Sequence, residues 1–220
     1  MRSQAFDPRE EHVARSETLI GSSVFATDGE IGSVRNFLFD DRSWKIRYLV
    51  VEVGRWLDRR EVVLAVASVE PPDWEKRSFH VKCTKEQVRN SPDVNTEKPV
   101  TLQQEIAMLE YYDVLAYWLD SGFAIETSMP AGTDYGVSPR EDRDLRSALD
   151  LRGYEVWATD GEIGRLDGLI MDEASWYLGY MSVKTGGWLH SRSVLIPTRR
   201  VKSVSWANRR VSLQEAKEGT

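Results

Sequence analysis

The sequence predicts a mainly β protein, made of two small antiparallel β-barrels in tandem that are joined by a short helical connector. Three observations predict this fold. A stretch of about 65 residues occurs twice, at a spacing of 132 residues. Both copies contain segments in which apolar and polar residues alternate with a period of two, as in half-buried strands. Both copies also carry turn residues at short intervals, which is typical of small barrels.

The duplication is evident when the chain is shifted by 132 residues. Residues 27–32 (Thr-Asp-Gly-Glu-Ile-Gly) recur unchanged at 159–164, and 23 of the 63 aligned positions between Leu19 and Val81 are identical. An internal repeat of this length indicates two copies of one structural unit. The identities include three tryptophan pairs, Trp44 with Trp176, Trp56 with Trp188 and Trp74 with Trp206.

Local signals place turns and an irregularity within each copy. Asp28-Gly29 and Asp160-Gly161 predict two-residue hairpins between β-forming runs. The apolar positions shared by the two copies in the next strand lose their alternation at Asn36, which is Gly168 in the second copy. Asn and Gly tolerate the left-handed backbone that a bulge can require, so a β-bulge is predicted there.

The order of these signals predicts the domain organisation. A capping-box pattern at residues 84–87 and a stop at residues 90–92 predict one short helix, and residues 101–104 open a second one, which runs to about Tyr112. The predicted segments are a disordered N-terminus (1–15), the first barrel (16–83), the helical connector (84–120), a linker (121–146), the second barrel (147–214) and a disordered C-terminus (215–220).

Composition narrows the class of protein. The net charge of −6 disfavours a nucleic-acid partner, because binding to phosphates rests on excess positive charge. There is no apolar run long enough to span a membrane and no secretory signal at the start. The single cysteine, Cys83, excludes an internal disulfide. Together these features predict a cytoplasmic protein.

The residues predict no catalytic site, bound cofactor or metal site, and therefore no enzymatic activity. The repeated acidic pairs beside the hairpin glycines suit turns, since a calcium loop needs further oxygen ligands at fixed spacing. Cys83 ends the last strand of the first barrel and is interpreted as a structural thiol. The three histidines, His12, His80 and His190, are far apart in sequence and form no metal-ligand pair.

Four segments of each copy resemble the PRC-barrel family. In the first copy these are Gly21–Gly32, Asp40–Trp44, Tyr48–Val51 and Gly54–Leu57, and each has its equivalent 132 residues later. The connector is similar to that of bacterial stand-alone tandem PRC-barrel proteins. The family includes the cytoplasmic domain of the photosynthetic reaction-centre H subunit and the C-terminal domain of a ribosome maturation factor. The resemblance implies a small barrel fold and a role in docking or assembly beside larger complexes.

The predicted function is therefore that of an interaction or assembly module with an unspecified protein partner, such as a membrane-associated or ribosomal complex. Trp56 and Trp188, beside hairpin tips, are candidate partner anchors. Tyr117 and Trp118 are further candidates, although covering or bridging the barrels is the favoured role for them. The two barrels are expected to pair within the chain, and a homodimer is also open.

Two other functions remain open at this stage. One is a ribosome- or RNA-associated factor, which a clustered basic face would support. The other is a small-ligand or proton-handling protein, which shifted carboxylate pKa values in a cleft between the barrels would support. The basic residues concerned are Arg199, Arg200, Lys202, Arg209 and Arg210.

Overall fold

The computed structural model describes residues 13–54, 60–73, 75–91, 111, 145–186 and 192–216. Short 3-10 turns lie at Val66–Ser68, Leu149–Leu151 and Thr198–Arg200. The strands are β1 (Val13–Arg15), β2 (Ser23–Ala26), β3 (Gly29–Asp40), β4 (Ile46–Val53), β5 (Arg60–Ala65), β6 (Ser78–His80), β7 (Leu145–Ser147), β8 (Glu155–Ala158), β9 (Gly161–Asp172), β10 (Tyr177–Thr185), β11 (Arg192–Pro197), β12 (Val201–Ser205) and β13 (Arg210–Leu213), and the helices are α1 (Ser16–Leu19) and α2 (Lys85–Arg89).

The strands form two sheets that follow the repeat, with the order β5-β4-β3-β2-β6 in the first and β11-β10-β9-β8-β13-β12 in the second. The prediction of a mainly β chain with two tandem modules is confirmed. One pair in each sheet, β2 with β6 and β8 with β13, is parallel rather than antiparallel. A parallel pair needs a long connection, which the intervening strands supply. Over the described residues neither sheet closes on itself.

The predicted bulge is present in both copies. In the first, Val34 pairs with Val51 and Asn36 with Val50, so that Arg35 has no opposite residue. The second copy shows the same register shift, between Leu166 and Gly168 on β9. The predicted hairpins are also present, since the strands on either side of residues 27–28 and 159–160 pair directly.

The reason given for the bulge was wrong, because neither Asn36 nor Gly168 has a positive φ angle. In the first copy the Asn36 side chain accepts a hydrogen bond from the backbone N–H of Phe37, at 2.8 Å. In the second copy the Glu17 carboxylate accepts the equivalent bond from Leu169, at 3.1 Å. A Cβ at position 168 would lie 2.8 Å from both Glu17 oxygens, so a larger residue there would displace the carboxylate from its present position.

The Glu17 contact belongs to a wider exchange, in which each copy lends a short strand to the other. Strand β1 precedes the first sheet but pairs with β9 of the second sheet. Strand β7 precedes the second sheet but pairs with β3 of the first. Residues 13–15 were expected to be disordered and residues 145–146 to belong to the linker, and both expectations are corrected. Three-residue strands show too little alternation to be predicted without their partner.

The two sheets meet around a pseudo-two-fold axis that relates residues 132 positions apart. The N–H of Ile46 donates to the carbonyl of Trp176, at 2.9 Å, and the N–H of Leu178 donates to the carbonyl of Trp44, at 2.8 Å. Both tryptophans have a left-handed backbone, with φ of 56° and 58°. That conformation costs about 1–2 kcal/mol for an ordinary residue. The reciprocal bonds between the sheets help to offset it.

The hydrophobic core is continuous across the two copies. The ring of Phe39, from the first copy, lies 6.4 Å from that of Trp206 in the second. The ring of Phe79 lies 6.1 Å from that of Trp176, again across the two copies. Buried aromatic pairs of this kind add to the stabilisation by burial alone. The prediction that the two modules pair within the chain therefore agrees with the described structure.

Candidate protein-interaction site

The four candidate interaction residues, Trp56, Trp188, Tyr117 and Trp118, lie outside the described residues. Their role stays a prediction. The structure does describe the strand ends that flank the two predicted hairpin anchors. Strand β4 ends at Val53 and β5 begins at Arg60, while in the second copy β10 ends at Thr185 and β11 begins at Arg192. These ends form the opening of each module and differ strongly in their surroundings.

The opening of the first module, here called the first mouth, is formed by Ile31, Val53 and Arg60, and Val62 lies two residues further along β5. Helix α2 lies against it, and the capping box that predicts this helix is present at its start. Thr84 accepts a hydrogen bond from the N–H of Gln87, while the Gln87 side chain accepts one from the N–H of Thr84. These bonds satisfy backbone donors that a helix start leaves unpaired. The short helix is thereby fixed at its first turn.

Three side chains hold α2 in the first mouth. Val88 is 1% exposed and belongs to the core cluster, so the helix inserts an apolar side chain into the end of the module. Asp28, in the hairpin loop, accepts the N–H of Lys85 at 2.8 Å. The Arg60 guanidinium donates to the carbonyls of Val88 and Ser91, each at 3.3 Å. The start of the helix is thus bound by a carboxylate and its end by a cation.

The opening of the second module, here called the second mouth, is formed by the equivalent residues Ile163, Thr185 and Arg192, and Val194 lies two residues further along β11. The first four residues of its strand β11 are exposed. Val194 and Leu195 are 39% and 37% exposed, whereas their equivalents in the first module, Val62 and Val63, are 1% and 2% exposed. Similar apolar residues at equivalent positions are therefore buried in one copy and open to solvent in the other.

The second sheet carries two clusters of charged side chains, centred on Asp167 of β9 and Glu155 of β8. Asp167 is close to three cationic groups, with Lys184 at 2.7 Å, Arg15 at 3.7 Å and Arg152 at 3.9 Å. The hydrogen bond from Lys184, followed by the charges of these cations, lowers the pKa of Asp167. Position 167 is Arg35 in the first copy, where it pairs with Glu52 at 2.6 Å, so the pair is reversed in sign.

A second carboxylate on the same sheet is shared in a similar way. Glu155 accepts from the indole N–H of Trp157 at 3.1 Å and from Arg165 at 3.2 Å. Arg210 pairs with the same carboxylate at 3.4 Å and stacks over the ring of Trp157. The hydrogen bond from Trp157 and the two guanidinium groups lower the pKa of Glu155. Ion pairs thus surround the half-buried ring of Trp157.

Three of the five residues proposed for a basic face have an acidic or aromatic neighbour. Arg210 is paired with Glu155, as described above. Arg200 forms an ion pair with Glu215 at 3.1 Å. The Arg209 guanidinium lies over the ring of Tyr154. Neutralising partners and aromatic stacking thus occupy three of these cations, which weakens the case for an RNA-binding face.

A carboxylate with a raised pKa does lie between the two copies. Asp41 lies 3.5 Å from the Nε of Arg146, on β7. Burial raises the pKa of Asp41, and the Arg146 charge and a hydrogen bond from Trp206 oppose the rise. The Arg146 guanidinium in turn lies over the Trp206 ring, 4.7 Å from its centre. This group joins Asp41 of the first copy to Arg146 and Trp206 of the second, so its evident role is in the interface.

The remaining candidate groups for chemistry have structural surroundings. Cys83 is buried, and its burial raises the pKa of the thiol, which disfavours the reactive thiolate. His80 stacks on Phe25, with ring centres 5.1 Å apart. Within the described ranges, histidine, cysteine and carboxylate side chains form no group of three that would suit a metal ion. Neither described helix has the length and apolar content that crossing a membrane requires.

Comparison with known proteins agrees with the internal repeat. The family model of the PRC-barrel domain matches residues 11–88 and 144–218. Both matched regions begin early enough to include the exchanged strands β1 and β7. No curated protein matches the chain.

Proposed function

This chain belongs to the PRC-barrel domain family, and from that premise we propose that it is a cytoplasmic, non-enzymatic interaction module that binds a protein partner at the second mouth. The observation that carries the proposal is the difference in exposure between Val62 and Val194 and between Val63 and Leu195. An apolar strand edge left open in one copy and covered in the other is typical of a surface that a partner covers. The hairpin that leads into this edge contains Trp188.

The absence of enzymatic activity is part of the same proposal. The sole thiol is buried with a raised pKa, and the perturbed carboxylates Asp41, Asp167 and Glu155 each contact cationic side chains. Such pairs stabilise a folded protein without forming a nucleophile and base. The structural role of the thiol and of these carboxylates supports the proposal that the protein is not an enzyme.

The proposal is tested by affinity capture from a lysate of the source cells, with identification of the retained proteins. The bait is the full chain, compared with the double variant Val194→Asp/Leu195→Asp. Ala207→Asp/Asn208→Asp is the matched control, because it adds the same two negative charges to an exposed turn of the second module. We expect the double variant to lose a specific protein that the wild type and the control both retain. Equal retention by all three would contradict the proposal.

The repeat itself offers a second comparison. Trp56 and Trp188 occupy equivalent positions in the two hairpins. If docking takes place at the second mouth, Trp188→Ala should lower the amount of captured partner by about tenfold, as for an interface anchor, and Trp56→Ala should leave it unchanged. A larger effect of Trp56→Ala would move the docking surface to the first module.

A further inference from the structure

The first mouth shows what kind of segment these modules receive. It holds a single helical turn that presents one apolar side chain, Val88, to the core. The receiving residues are a hairpin aspartate at the start of the helix, Asp28, and an arginine at its end, Arg60. Both make use of the charge distribution of a helix, whose N–H groups favour an anion and whose terminal carbonyls favour a cation.

The second mouth has the same receiving residues. Asp160, Arg192 and Val194 stand where Asp28, Arg60 and Val62 stand in the first copy, and all three are identical. Most aligned positions of the two copies differ, as the identity of 23 in 63 shows. The second copy therefore retains the equivalents of both residues that bind the ends of α2, Asp160 for Asp28 and Arg192 for Arg60.

The chain does not repeat the helical segment that lies against the first mouth. Thr84, which begins the capping box, corresponds to Ala216, and the apolar Val88 corresponds to Thr220. The first helical turn would have no side-chain cap and no apolar residue to insert. The second mouth thus has the groups that receive a helix, and the residues that follow it lack the features of α2.

We infer that the second mouth binds a short amphipathic helix of the partner protein, with an apolar side chain inserted beside Val194 and the last carbonyls bound by Arg192. The inference rests on the proposed function and names the kind of segment that docks. Arg192 is exposed, and its guanidinium has no partner among the residues that the structure describes. A helix end supplies unpaired carbonyls, which complement this charge.

Addition of a partner strand to the edge of β11 is the other way of covering this surface. It would use the backbone of β11 and would leave the Arg192 guanidinium without a role. A helix uses the side chain of Arg192 as Arg60 is used in the first copy, at 3.3 Å from two carbonyls. The internal comparison therefore favours the helix.

The probe is a synthetic peptide with the sequence of residues 84–91 (Thr-Lys-Glu-Gln-Val-Arg-Asn-Ser), added to the isotope-labelled full chain and followed by NMR. We expect saturable shifts of the amides of Arg192 and Val194, with a dissociation constant on the order of millimolar. The equivalent amides of Arg60 and Val62 should shift less, because the Arg60 guanidinium already binds the end of α2. A peptide carrying Val88→Asp should bind at least about tenfold more weakly, because it would bury a charge.

A second experiment fuses the peptide to the chain, so that its binding no longer depends on the weak affinity of the free peptide. Residues 216–220 are replaced by the sequence of residues 84–91, which places the helix at a high effective concentration beside the second mouth. We expect slower amide exchange at Val194 and a higher unfolding midpoint than for the same fusion carrying Val88→Asp. Equal behaviour of the two fusions, together with no shift from the free peptide, would overturn the inference.

Two further outcomes separate this inference from the proposed function. If the peptide fails while Val194→Asp/Leu195→Asp still abolishes partner capture, the docking surface stands and the helix is wrong. If the peptide binds while capture is unaffected, the mouth binds helices but is not the docking surface. Peptide binding that requires a chain ending at Ala216 would show that residues 217–220 occupy the mouth, and would also overturn the inference.

Discussion

At the scale of single residues, the two copies use different side chains to accept the same backbone hydrogen bond at the bulge. The bulge on the central strand leaves a backbone N–H that needs an acceptor. In the first copy Asn36 is the acceptor for its own neighbour Phe37. In the second copy the acceptor for Leu169 is Glu17, which comes from the first half of the chain. The sequence locates the bulge, but the identity of the acceptor depends on a contact between residues 152 positions apart. No local pattern contains that information.

This difference leads to a double-variant prediction. Gly168→Asn should lower the free energy of unfolding by about 1–3 kcal/mol, because the new side chain meets the Glu17 carboxylate. Adding Glu17→Leu should recover most of the loss, because Asn36 and Leu149 form that combination in the first copy. Denaturant unfolding of both single variants and the double variant measures the coupling. Simple addition of the two losses would contradict the exchange of acceptors.

Asp41 predicts a pH dependence whose sign follows from its raised pKa. The folded protein binds a proton at this carboxylate at a higher pH than the unfolded chain does. Acidification from the raised pKa down to the ordinary value for aspartate therefore stabilises the folded state through this group. The variant Asp41→Asn lacks this contribution. We expect the stability of the wild type relative to the variant to increase as the pH falls through that window.

The measurement is denaturant unfolding of the two proteins at a series of pH values. Only the difference between them is used, because other carboxylates, such as Asp167, have lowered pKa values and oppose the trend. A relative stability that stays constant, or that falls on acidification, would show that the Arg146 charge outweighs the burial of Asp41.

At the scale of elements, the sequence predicts what is local and misses what is exchanged. The hairpins at residues 27–28 and 159–160 and the start of α2 follow from turn and cap residues that act within a few positions. Strands β1 and β7 are three residues long and pair only with the other copy. The uncovered edge of β11 is also invisible in the sequence, since Val62 and Val194 are identical and differ only in what lies against them.

The exchange predicts where a truncation acts. Deleting residues 1–15 removes β1, which precedes the first module in sequence, but the loss should fall on the second module. Strand β9 would lose its ladder at residues 170–172 and the bond from Arg15 to Ser182. We expect a loss of about 2 kcal/mol or more, from several backbone hydrogen bonds. Hydrogen exchange should accelerate at residues 170–172.

The matched control is the equivalent stretch of the first module, residues 38–40, which pairs with β7 and should keep its protection. Faster exchange at residues 38–40 with no change at 170–172 would contradict the strand exchange and indicate that β1 pairs within its own copy.

At the scale of the whole molecule, the two copies form one folding unit. Each sheet includes a strand from the other half, the core is continuous, and the left-handed tryptophans bond across the pseudo-two-fold axis. The repeat predicts two modules and the possibility of their pairing, but it does not predict that neither is complete alone. The two modules differ in exposure, and Val194 and Leu195 leave an exposed apolar edge on the second one.

This unity predicts the behaviour of a split chain. A break after residue 118 lies in the segment between the two modules and leaves β1 on one fragment and β7 on the other. Each fragment alone lacks a strand and half of the core, so we expect neither to show cooperative unfolding. Co-expressed, the two should form a 1:1 complex, because each supplies the strand that the other needs. Size-exclusion chromatography and thermal unfolding of the complex test this.

The control is a second fragment that begins at residue 148 and so lacks β7. It should fail to rescue the first fragment, because the edge of β3 from Leu38 to Asp40 would stay unpaired and the ion pair of Arg146 with Asp41 would be lost. A stable monomeric fold of either fragment by itself would show that the modules are independent domains. The exchanged strands would then be an addition to two complete barrels, and the chain would behave as a pair of linked domains.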